Sequence, residues 1–151
     1  MASNARHTSD TSGSGAVRPP TGSASREGPL GGLAPFDQAR VVFAAFDAKD
    51  VATLTSLVRD DVRIRLGNAE EAQGKPAFVE AVEAFVASVA AFHHHVLNVW
   101  RDGDTLIVQL EVRYTRHDGG EVTLPCCNVF RLDDGSLADY RVYMDISPVY
   151  E

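Results

Sequence analysis

Between Phe92 and Tyr143 the chain runs as alternating apolar and polar residues, cut at Asp102-Gly103-Asp104, His117-Asp118-Gly119-Gly120 and Asp133-Asp134-Gly135. Glycine supplies the positive φ of a tight hairpin turn and aspartate tolerates it, so each cut marks a reversal. Consecutive strands joined by short reversals form an antiparallel meander. The alternation has period two. Leu106, Val108, Leu110 and Val112 alternate with Ile107, Gln109, Glu111 and Arg113; Val122, Leu124, Cys126 and Phe130 alternate with Thr123, Pro125, Cys127 and Arg131. On the last strand Tyr140, Val142 and Met144 share one face, while Asp139, Arg141, Tyr143 and Asp145 share the other. One face of the sheet is therefore apolar and must be covered.

The cover lies upstream. Ala39, Val42, Phe43 and Phe46 recur at helical spacing behind a Pro35-Phe36-Asp37 start, and Asp50 is placed to cap a short second helix carrying Leu54, Leu57 and Val58. Val62, Ile64 and Leu66 alternate with Arg63 and Arg65 as a first strand. Gly74-Lys75-Pro76 then opens a longer helix with an apolar stripe of Phe78, Val79, Val82, Phe85, Val86 and Val89, leaving Glu80 and Glu83 to solvent. Helices first and strands last predict an α+β fold, a cone-shaped curved antiparallel sheet wrapped around about three N-terminal helices. With 151 residues at 44% hydrophobic content the chain can fill one core, so 36–151 is read as a single domain. Residues 1–35 are rich in Gly, Ser, Thr and Pro, cannot offset their ordering entropy by burial, and are expected to be a disordered tail.

Charge and cysteine usage exclude some partners. A formal net charge of −7 without a Lys/Arg cluster argues against nucleic acid, whose binding draws on counterion release by basic side chains. The adjacent Cys126 and Cys127 close no useful loop if oxidised, which points to free thiols in a reducing compartment. There is neither an apolar run approaching the ~20 residues of a membrane span nor the apolar core of a signal peptide, so no membrane partner and a cytoplasmic location are expected.

Three stretches, FHHHVLNVWRDGDTLIV from Phe92, VTLPCCNVFRLDDGSLADYR from Val122 and YMDISPVY from Tyr143, resemble bacterial SnoaL-like proteins of the nuclear transport factor 2 superfamily. The resemblance spans about residues 36–150. It implies the cone fold and a superfamily that includes polyketide cyclases, ketosteroid isomerases, limonene-type epoxide hydrolases and members without chemistry. It does not carry over a catalytic residue. The acid that cyclases and epoxide hydrolases place on the final strand falls at Val142, and the epoxide hydrolases' arginine and second aspartate fall near Leu110 and Val112. Their water-holding tyrosine and asparagine fall at Ile64 and Leu66, and a ketosteroid-isomerase base also falls near Leu66.

Residue chemistry supplies other candidates. The inward phases predict a ligand-binding pocket of Ile64, Leu66, Val108, Leu110, Val112, Leu124, Cys126, Val142 and Met144, suited to a hydrophobic small molecule. Asn128 occupies an apolar phase, where an unpartnered amide costs on the order of 1–3 kcal/mol, so it bonds either a ligand oxygen or an internal partner such as Tyr140. Tyr140 offers a phenol beside it. In His93-His94-His95 only the first and third share a face and no third ligand accompanies them, so no metal is expected. His94 is the candidate general base, although the inward parity is open because Leu97 and Val99 compete with Phe92, Val96 and Trp100. Cys126 lacks an activating base and reads as an inert thiol. Asp145 either reaches the pocket mouth or bonds nearby backbone. Asp139 and Arg141 should face away with Arg63, Arg65, Glu111 and Arg113, as cross-strand ion pairs or a subunit contact.

The expected function is a cofactor-independent enzyme that isomerises, cyclises or hydrolyses a hydrophobic, oxygen-bearing metabolite of polyketide or terpenoid type. His94 would move a proton while Asn128 and Tyr140 hold the oxyanion. The alternative is a non-catalytic ligand-binding or dimerisation module. The resemblance also implies a homodimer formed through the outer sheet face.

Overall fold

A computed structural model describes residues 28–151. Its turns follow the glycines: Gly103, Gly119 and Gly135 hold φ of 56°, 86° and 77°, and Asp134 joins Gly135 at positive φ in a two-residue reversal. These turns connect β3 (Ala91–Asp102), β4 (Thr105–Thr115), β5 (Glu121–Asp133) and β6 (Ser136–Tyr143) into the antiparallel meander. Ahead of them come α1 (Pro35–Asp47), α2 (Val51–Ser56), β1 (Val58–Leu66), β2 (Ala72–Gln73) and α3 (Lys75–Ala87). The cap on α2 forms as expected, Asp50 accepting the Thr53 N–H at 2.9 Å.

The six strands make one open sheet in the order β2-β1-β6-β5-β4-β3. The fold is the expected α+β arrangement with one correction: β1 runs parallel to β6, pairing Ile64 with Tyr140 and Leu66 with Val142, so the sheet is mixed. The chain between them crosses through α3 and the meander, which is long enough to return a strand in the same direction. β1 also starts before the alternation does. A register shift between Val58 and Arg63 absorbs Arg59, Asp60 and Asp61, and that irregularity hides the strand's first turn of pairing from a period-two reading.

The helices cover the concave face. Phe43, Phe46, Phe78 and Val82 pack with Leu106, Val108, Leu110, Phe130 and Tyr140 in one buried cluster. Phe130 lies 5.8 Å from the Phe43 ring centroid and 4.8 Å from that of Tyr140. Truncating such a phenylalanine to alanine costs about 3–5 kcal/mol.

A bulge in β3 settles the histidine parity. Val96 pairs with Leu110 and Asn98 with Gln109, so Leu97 is the extra residue. Phe92, His94 and Val96 face the helices before it and Val99 after it, while Leu97 and Trp100 are exposed. A single inserted residue flips the parity, which is why two apolar sets compete in the sequence.

Residues 28–34 belong to the packed structure. Gly28 and Leu30 donate their N–H groups to Asp134 and Gly135 carbonyls at 2.9 Å, Leu30 is fully buried, and the Gln38 amide nitrogen donates to the Leu30 carbonyl at 2.8 Å. The expected tail therefore gives way to packed chain seven residues before Pro35, and its remainder, residues 1–27, lies outside the described residues.

On the convex face Arg63 and Arg141 reach Asp139 at 2.7 and 2.6 Å, and Arg141 also meets Glu71 at 2.5 Å. Burial alone would push the Asp139 carboxyl up, but hydrogen bonds and charge from Arg141 and Arg63 hold it below the usual carboxylate range.

Candidate functional site

The strongest local signal is an acid in an unfavourable place. Asp47 ends α1, where the helix dipole disfavours negative charge, and no basic residue occupies that last turn. What offsets this is His94. Asp47 accepts the His94 backbone N–H at 3.1 and 3.2 Å and meets its ring Nδ1 at 2.6 Å. A carboxylate can only accept, so Nδ1 carries a proton, and in the neutral imidazole Nε2 keeps its lone pair. Phe43 stacks on the imidazole at 4.6 Å and Phe92 meets it edge-on at 5.6 Å, fixing the ring plane. The exposed His93 also reaches Asp47, at 3.2 Å.

His94 lines a cavity of about 390 Å³ between α3, the C-terminal end of β1, the concave sheet and the last residues of the chain. Its Nε2 has no hydrogen-bond partner among the described residues and is not sealed from the cavity. The space exists because α3 presents Ala81, Ala84, Phe85 and Ser88 to it, one helical face with two alanines where larger side chains would fill the gap.

The same cavity is lined by a polar run on β5 and β6. The Cys126 thiol donates to Asn128 Oδ1 at 3.2 Å, and Asn128 Nδ2 donates to Tyr140 Oη at 3.2 Å. Burial pushes the Tyr140 phenol well above its ordinary value, with Cys126 and Tyr114 adding to it, so it is a neutral donor. Burial, with Cys127 nearby, likewise pushes the Cys126 thiol up to about 12, which leaves it protonated and unreactive. At the mouth Ser88 Oγ and Tyr150 Oη are 3.1 Å apart.

The pocket residues expected from alternation divide. Leu66, Val112, Cys126, Val142 and Met144 line the cavity with His94, Asn128 and Tyr140. Ile64, Val108 and Leu110 are instead closed into the core, and Leu124 is half-buried away from the cavity, which corrects their assignment as lining. Pattern identifies the inward face of a strand but not which part of it the helices leave uncovered. Asp139 and Arg141 are absent from the lining, as the parity required. Asp145 lies just ahead of the 3-10 turn Ser147–Val149, accepting the Ser147 N–H at 3.0 Å and bonding its hydroxyl. Those bonds hold its carboxyl below the usual range. Among the described residues no group of three or more His, Cys, Asp and Glu side chains is arranged to hold a metal ion.

Sequence reasoning missed Asp47, the α3 face and Tyr150. Asp47 and His94 are far apart in the chain, and the available clue was the acid at a helix C-terminus.

Comparison with known proteins agrees with this architecture. Solved structures that superpose on the chain include an NTF2-like protein of unknown function from Burkholderia pseudomallei, with 17% identity and a TM-score of 0.69 over 77% of this chain and 95% of that one. An LEH-like epoxide hydrolase from M. tuberculosis shares 18% identity and a TM-score of 0.63 over 74% and 83%. A candidate SnoaL-like polyketide cyclase from Jannaschia sp. shares 17% and 0.67 over 77% and 88%. At these identities the likeness establishes the fold. No curated protein matches the sequence. The family model of the SnoaL-like domain matches residues 39–140, and the chain belongs to that family.

Proposed function

We propose that the protein is an enzyme that moves a proton on a hydrophobic, oxygen-bearing small molecule of polyketide or terpenoid type, in an isomerisation, cyclisation or hydrolysis. The observation that carries this reading is the Asp47–His94 pair, with Nδ1 held at 2.6 Å and the ring in the wall of an apolar cavity. His94 Nε2 takes a proton from a carbon beside a carbonyl, or from a hydroxyl or water. The electron pair of the broken bond moves toward the substrate oxygen. Asp47 stabilises the imidazolium that forms, while Tyr140 and Asn128 donate to the oxyanion. His94 then returns the proton at the new position, and the side chains carry the step without a cofactor.

The polar groups inside the cavity support catalysis over a purely passive module, because an apolar ligand needs no oriented imidazole. The test is deuterium uptake at the α-carbons of a bicyclic ketone, β-tetralone, followed by NMR in heavy water. The protein should accelerate uptake over buffer, and His94→Ala should lose about 10²–10⁴-fold of the rate, the usual worth of a general base. Equal rates with and without protein, or an unchanged His94→Ala, would overturn the reading.

The convex face carries exposed Leu97, Trp100, Ile107 and Tyr143. These side chains support a homodimer formed there, which a monomeric mass by light scattering at micromolar concentration would refute. No helix among the described residues is long and apolar enough to cross a membrane. Two free thiols fit a reducing, cytoplasmic location.

A further inference from the structure

The hydrogens of the cavity have directions. At the inner end, Tyr140 Oη accepts from Asn128, so the phenol's own proton is unspent, and His94, which lines the same cavity, offers Nε2 of its neutral ring as an acceptor. At the mouth the order is reversed. Ser88 Oγ lies 2.7 Å from the Phe85 carbonyl, a distance that requires the serine proton between the two oxygens. Ser88 therefore has only lone pairs for Tyr150 Oη at 3.1 Å, and the Tyr150 proton goes to Ser88. What Tyr150 Oη offers the cavity is acceptor capacity alone. None of the described lining residues is Lys, Arg, Asp or Glu, so a carboxylate or phosphate entering here would lose its water without gaining a charged partner. At interior packing density about 390 Å³ holds roughly two rings with substituents.

We propose that the cavity selects an uncharged, two-ring-sized hydroxy-ketone, with its carbonyl end at Tyr140 and His94 and a distal hydroxyl donating to Tyr150 Oη at the mouth. This rests on the proton-transfer reading for its inner end. Tyr150 is thereby a specificity-determining residue, set as an acceptor by Ser88 and in turn by the last turn of α3. A distal ether, which only accepts, meets lone pairs there and is disfavoured.

Isothermal titration calorimetry with 6-hydroxy-β-tetralone and 6-methoxy-β-tetralone tests this, because binding is read independently of turnover. The wild-type protein should bind the hydroxy ketone roughly fivefold or more tightly than the methoxy one, the worth of one hydrogen bond. Tyr150→Phe should bring the ratio to about one. Ser88→Ala releases the Tyr150 proton to donate and should narrow the preference by improving the methoxy ligand. A ratio near one in the wild type, a preference that survives Tyr150→Phe, or binding of neither ketone overturns the proposal. A hydroxyl preference without His94-dependent deuterium uptake would instead remove the proton-transfer reading and leave the mouth assignment standing.

Discussion

Replacing Asp47 by asparagine weakens the hold on His94 while keeping the side chain's shape. The asparagine carbonyl oxygen can take the place of Oδ1, which accepts the His94 N–H at 3.1 Å and meets its Nδ1 at 2.6 Å, while the NH2 group replaces the oxygen 3.2 Å from the exposed His93 ring. A charged acceptor becomes a neutral one, a difference of about 1–2 kcal/mol per hydrogen bond. In a domain of this size that lowers the melting midpoint by roughly 3–8 °C and leaves it folded. The kinetic loss has a ceiling, because misorienting a base cannot cost more than removing it. Loss of one orienting partner behind an active group typically costs about 10–100-fold, below the 10²–10⁴-fold expected for His94→Ala. In the deuterium-uptake assay Asp47→Asn should fall between wild type and His94→Ala, and the double variant should be no slower than His94→Ala alone. Asp47→Asn as fast as wild type, or a double variant whose losses add, would refute a dyad acting as a unit and leave Asp47 a structural cap on β3.

Two further outcomes test the sheet's faces. Val142→Asp places an acid on the apolar cavity wall opposite Asn128, its β5 pairing partner, and should lower stability by about 1–3 kcal/mol in urea denaturation; an unchanged midpoint would contradict the face assignment. On the convex side, the folded Asp139 carboxyl is held below its unfolded value, so its stabilisation is present above about pH 4 and is lost as pH falls through the folded value. The melting-point gap between wild type and Asp139→Asn should therefore be wide at pH 7, begin to narrow near about pH 4 and close once the pH lies below the folded value; a gap constant with pH would show that the ion pairs with Arg63 and Arg141 do not stabilise the fold.

What the sequence revealed, and what it hid, follows the range of the signals. Glycine at the three hairpins and the two-residue period of β4, β5 and β6 are local, and they located the meander and its inward face. The helical stripe of Phe78, Val82, Phe85 and Val86 was equally local. The bulge at Leu97 is a single added residue and left the histidine parity undetermined. The parallel pairing of β1 with β6 depends on a long crossover and has no local mark. The cavity depends on a negative feature, the small Ala81 and Ala84 on α3, which a search for apolar stripes passes over. His94, Asn128 and Tyr140 stood out because each breaks the apolar pattern of its surroundings. Asp47 did not, because its reason for being there is a partner on another element.

The proposed reaction depends on the His94 tautomer whose proton is held at Nδ1 by Asp47, leaving Nε2 of the neutral ring bare. Nitrogen-15 NMR of the imidazole, assigned by comparison with His94→Ala, reads that tautomer directly. The prediction for the neutral imidazole is a protonated Nδ1 with a strongly downfield proton and an Nε2 that shows no attached hydrogen. A proton on Nε2 with Nδ1 bare would contradict the Asp47 contact and remove the base from the proposed reaction.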